Sequence, residues 1–165
     1  MMFTMKIILS NEDGDTMKTC FMFGHADTPE IRQELCRAME YCYDALDVRC
    51  FVVGSRGNFD CRQAPAGLRH MKQLHDDVQA KKLIAYHPAL GRSEAEFEPP
   101  FDCTYYPEGL ETTPNAYAIR KANEIMVTQA DVIICYVCHP GNTRNLLEYA
   151  RKRNMTCINL AKDTI

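Results

Sequence analysis

The stretch TCFMFGHADTPEIRQELCRAMEYCYDALDVRCFVVG, residues 19–54, decides the fold. Thr19–Gly24 is a short apolar run ended by a glycine, the pattern of a strand buried on both faces. Thr28-Pro29 then offers a helix N-cap and a first-turn proline. Ile31, Leu35, Ala38, Cys42 and Ala45 follow at helical spacing and form one apolar stripe. Val48–Val53 is a second buried strand, stopped by Gly54. A strand, a helix and a strand in this order predict a crossover between two parallel neighbours.

The same rhythm continues outward. After Asp60, the residues Ala64, Leu68, Met71 and Val78 mark a second amphipathic helix, and Leu83–Tyr86 a third strand. Thr113-Pro114 repeats the helix start, with Ala118, Ala122, Ile125 and Met126 facing inward. Val132–Val137 is the most hydrophobic strand. Thr143–Lys152 is a helix with Leu146, Leu147 and Ala150 inward, and Met155–Leu160 a last strand. This alternation predicts an α/β, three-layer Rossmann-like fold with a five-stranded parallel sheet, order 3-2-1-4-5, and helices on both faces.

Residues 1–165 are read as one domain. Residues 1–16 are a leader, an edge strand or an upstream start. Residues 88–112 show no period and include the acidic, proline-containing SEAEFEPPFD. They read as a long loop, either a surface insertion or a mobile flap. In the flap reading Tyr105 and Tyr106 stack on a base. The alternative is that both tyrosines anchor the loop to the core.

Composition narrows the function classes. The 165 residues are 46% apolar and 25% charged, enough for one sizeable core. No apolar run approaches the roughly 20 residues needed to cross a bilayer. The N-terminus lacks a basic region followed by an apolar stretch and a cleavage site, so a cytoplasmic protein is expected. The nine cysteines then read as free thiols packed like small hydrophobes. A net charge of −3 argues against binding a phosphate backbone. The expected partner is a small molecule, not nucleic acid or a membrane. The oligomeric state stays open, with a homodimer among the options.

In an open parallel sheet, ligands bind outside the carboxyl ends of the strands, where the strand order reverses. The loops at that edge are Gly24-His25-Ala26-Asp27, Gly54-Ser55-Arg56-Gly57, His87-Pro88 and Cys138-His139-Pro140-Gly141-Asn142-Thr143. Gly141 lets the backbone pass close to a ligand. Asn142 and Thr143 stand at a helix start, where free N–H groups and the helix dipole favour an anion such as phosphate. The plainer alternative is that Asn142 or Thr143 only caps its own helix. Gly54 to Gly57 offers a second cradle with Arg56 as a charged donor, or a tight turn with Asp60 as N-cap in either case. His25 is a ligand contact or a structural hydrogen bonder.

Several sharper readings fail. Cys135-Tyr-Val-Cys138-His139 spells a haem attachment pattern, but it starts on a buried strand whose alternation parts the two cysteines, which argues against haem and zinc alike. The P-loop pattern is absent. So is the G-x-G-x-x-G fingerprint, and strand two ends at Val53-Gly54 with no acidic residue for a ribose. No cofactor and no metal are expected.

The FGH of strand one, the GSRGNFD after strand two and the tract from Tyr117 to Leu160 together resemble the SLOG superfamily. The chain is most similar to the bacterial branch whose proteins open with strand-Gly-His-Arg, from about Lys18 to Leu160 and least through the long loop. Relatives include LOG phosphoribohydrolases, which cleave nucleoside monophosphates at the glycosidic bond, and sensors that bind nucleotide-like ligands. The resemblance implies that Gly24, His25, Gly54, Ser55, Arg56, Gly57 and the Pro140-Gly141-Asn142-Thr143 loop line a nucleotide site. Arg120 matches an arginine common in the branch. Ala26 stands where the branch has arginine, and Asn142 where it has a second glycine. The LOG motif P-G-G-x-G-T-x-x-E places its glutamate three residues after the threonine; here Glu148, the weak catalytic candidate, is five residues after Thr143. The expectation is a non-catalytic nucleotide-binding module. The alternatives are a LOG-like hydrolase or an interaction domain that has lost its pocket.

Overall fold

The computed structural model describes residues 17–92 and 95–161. The readings of residues 1–16 lie outside it. Six parallel strands form one sheet in the order β4-β3-β2-β1-β5-β6. They are β1 (Lys18–Gly24), β2 (Val48–Val53), β3 (Gln79–Leu83), β4 (Cys103–Tyr105), β5 (Val132–Tyr136) and β6 (Thr156–Asn159). The helices are α1 (Arg32–Ala45), α2 (Ala64–Leu74), α3 (Ala118–Gln129) and α4 (Asn142–Lys152). Among the described residues, no helix is long and apolar enough to cross a membrane.

Strand alternation builds a core on each face of the sheet. Cys20, Met22, Phe51, Val53 and Ile134 point to α1 and α2, meeting Leu35, Met39, Leu68 and Met71. Phe21, Phe23, Val52, Ile133 and Cys135 point the other way, to Ala122, Met126, Leu147 and Ala150 of α3 and α4. Phe21 and Phe51, 1% and 0% exposed, fill the two cores on opposite sides of β1 and β2. Burying a side chain of this size stabilises by roughly 1.5–3 kcal/mol.

Two expectations are corrected here. The sheet has six strands, not five, because the long loop contributes β4 to its edge beside β3. The expected order survives within it as β3-β2-β1-β5-β6. The third strand is also Gln79–Leu83, not Leu83–Tyr86. Lys81 and Lys82 are half-buried in the sheet, which a hydrophobicity pattern does not register.

Within the long loop, neither Tyr105 nor Tyr106 stands free over the ligand edge. Tyr105 and Tyr106 are 7% and 4% exposed and belong to the core under α3. The Tyr105 hydroxyl donates to Gln129 Oε1. Both tyrosines are anchors rather than platforms for a base.

Helix starts also differ from expectation. Thr28 does not cap α1; its hydroxyl donates to the His25 carbonyl at 2.6 Å. The helix start is instead served by the buried Gln63, whose Oε1 accepts the Ile31 N–H at 3.0 Å.

Candidate functional site

The order reverses between β2 and β5, on either side of β1, so the loops after these three strands converge at one edge. The loop after β1 is tied to both of its neighbours. Asn58 donates its backbone N–H to Ala26 O at 2.9 Å and its side-chain amide to Thr28 O. On the other side, His25 Nε2 accepts the backbone N–H groups of Cys138 and His139 at 3.0 and 3.3 Å. An imidazole nitrogen that accepts carries no proton, so these bonds require the neutral ring. Burial, and then the neighbouring His139, lower the His25 pKa accordingly.

A cavity of about 280 Å³ opens among these loops. Gly24, Gly54, Ser55, Arg56, Gly57, Asn142 and Thr143 line it together, as does Ala26. Its walls are otherwise largely apolar, from Phe21, Phe23, Leu83, Ala85, Ile119, Ala122 and Leu146, with Asn123 and Asp60 as further polar groups. A concave, mostly apolar space with a few convergent polar groups is the usual form of a small-molecule site.

The remaining expected site residues lie elsewhere. His25 is engaged by the backbone of Cys138 and His139. Pro140 and Gly141 are exposed just before α4 and do not line the cavity. Arg120 is exposed and pairs with Glu124 one turn along α3. Glu148 is exposed on α4, away from the cavity lining.

Gly57 adopts φ +79°, and a Cβ there would stand 2.6 Å from the Ala26 Cα. Only glycine fits this crossing of the two loops. A Cβ on Gly54 would stand 2.6 Å from Asp60 Oδ2, so this glycine makes room for the Asp60 carboxyl.

Asp60 is the residue that sequence reasoning misplaced. It is not a helix N-cap but lies within a π-helical turn, Phe59–Gln63, that leads into α2. Oδ2 accepts the Arg56 N–H at 3.1 Å. Oδ1 is buried and has no hydrogen-bond partner. The residue as a whole keeps some exposure, but its carboxyl is enclosed, and the buried oxygen sets its electrostatics. Burial without a counter-charge raises its pKa to about 7, against the lowering effect of the Arg56 N–H. The available signal was an acid just past a Gly-Ser-Arg-Gly turn at the ligand-binding edge.

Beside the cavity, His25, Cys138 and His139 bring donor atoms within 4.8 Å of one another. The two imidazoles stack at 3.6 Å with planes 10° apart, so their in-plane lone pairs run parallel rather than converging on an ion. His139 faces acceptors on both sides, Pro140 O and Asp27 Oδ1, each at 3.1 Å. These contacts, that to Pro140 first, raise its pKa. All nine cysteines are free, and Cys135 is buried in the core whereas Cys138 is exposed.

No protein-family model matches the chain, and no curated protein matches it.

Proposed function

We propose that this chain binds a nucleotide or nucleotide-derived small ligand at the carboxyl edge of its sheet, as a sensor or binding module of the SLOG type. The observation that carries this reading is the single cavity shared by Gly24, Gly54 to Gly57, and Asn142-Thr143. In it an apolar space suited to a base or sugar adjoins the start of α4 and Arg56. The helix dipole and the arginine both favour an anion.

Catalysis is the second reading. Asp60, rather than Glu148, is the carboxyl group at the cavity, and a raised pKa suits a general acid. A LOG-like hydrolysis of nucleoside monophosphates would use it to protonate the leaving base while water adds to the anomeric carbon.

The test is a thermal-shift screen of nucleoside mono- and diphosphates, cyclic nucleotides and ADP-ribose, followed by incubation of each binder to look for free base. A ligand that binds the folded state raises the melting temperature with its saturation. Saturable shifts weakened by Thr143→Ala, with no base released, are expected. Release of base over many turnovers, abolished by Asp60→Asn, would make the enzyme reading the correct one. Absence of any shift across the panel would remove the nucleotide reading.

A further inference from the structure

Among the described residues lining the cavity, Asp60 is the only acid and Arg56 the only base. The acid arises in an unexpected way. β2 ends at Val53 with no acidic residue beside it, yet the π-helical turn brings Asp60 back to the cavity seven residues later. Gly54, lacking a Cβ, leaves space for that carboxyl against the strand end.

The carboxyl is only half used by the protein. One oxygen takes the Arg56 N–H, and the other is buried with no hydrogen-bond partner. A buried polar atom left in this state is uncommon and destabilising, and calls for a reason. Among the described residues no ion pair offsets it. The torsion that turns a carboxyl about its own axis is broad, and Asp60 itself lines the cavity.

The chemistry needed to complete such a group is a hydrogen-bond donor, and a ribose offers two on adjacent carbons. In a ribonucleotide the phosphate and the vicinal hydroxyls are carried on one furanose, a few ångströms apart. A phosphate at the start of α4 would leave the ring to the apolar space, in the same cavity that Asp60 lines. Acidic side chains after the second strand of nucleotide-binding parallel sheets hold a ribose in this way. We infer that Asp60 holds the vicinal hydroxyls of the ligand's ribose, so that the cavity selects ribonucleotides over their 2′- and 3′-deoxy forms. This specificity rests on the nucleotide reading above.

The test is calorimetric titration at pH 8 with the ribonucleoside 5′-monophosphates, their 2′-deoxy forms and their 3′-deoxy forms. Wild-type protein is expected to bind the deoxy forms about ten-fold or more weakly, the loss of a hydrogen bond to a charged group. Asp60→Asn is expected to bring ribo and deoxy affinities within about two-fold of each other. The wild-type comparison needs no variant, so a poorly folded Asp60→Asn leaves the test intact. Equal wild-type affinities would overturn the ribose assignment and leave nucleotide binding standing. A preference that survives in folded Asp60→Asn would also overturn it. If no monophosphate of any form binds, both the nucleotide reading and this assignment are wrong.

Discussion

His25 Nε2 accepts the backbone N–H of Cys138 at 3.0 Å, joining the loop after β1 to the loop after β5 across the point where the strand order reverses. The bond ties the loop that carries Ala26 to the loop that leads to Asn142, and both of these residues line the cavity. His25→Ala should therefore lower stability by about 1–3 kcal/mol, the cost of leaving such amides unpaired. Urea unfolding measures it.

The same bond gives a pH dependence. The folded His25 pKa lies below its ordinary value, so the unfolded chain binds the proton more readily. The contribution is present above the ordinary histidine range and is lost as pH falls through the lowered folded pKa. In urea melts between pH 7.5 and 5, wild type should lose more stability than His25→Ala.

Asp60 works in the opposite direction. Its folded pKa of about 7 lies above the unfolded value of 3.8, so the native state binds the extra proton. Stability from this group is highest near pH 4 and falls as pH rises through about 7. The full effect is on the order of 4 kcal/mol, at about 1.4 kcal/mol per pKa unit. Asp60→Asn should flatten the slope of stability between pH 5 and 8, whatever its absolute stability.

Gly57→Ala combines a left-handed backbone with a collision against the Ala26 Cα. The conformational penalty alone is about 1–2 kcal/mol, and the crossing loops must also part. A lower melting temperature together with loss of any nucleotide-induced shift is expected. A variant that melts and binds like wild type would contradict the described crossing.

Tyr105→Phe should cost about 0.5–1.5 kcal/mol, the hydrogen bond to Gln129, and leave ligand affinity unchanged. An affinity change without a stability change would restore the stacking role that its burial argues against.

Much of the frame could be read from residues alone, because β2 and the β1-to-α1 stripe carry strong local signals. Val48–Val53 is found as expected, and the loops at the ligand edge follow from the strand order. What escaped depends on partners distant in sequence. The three residues of β4 are too few to show a period and gain their place by pairing with β3. Gln63 serves α1 from 32 residues away. Asp60 looked like a cap because aspartates in turns so often are, and only the tertiary packing shows its second oxygen unpaired.

The most direct measurement is a two-dimensional amide NMR titration with the nucleotides of the screening panel. The account predicts saturable shifts concentrated at Gly24, Ser55 to Gly57, Asn142 and Thr143, with the amides of α2 and β6 far less affected. Shifts absent for every nucleotide, or gathered on a face away from these loops, would contradict it.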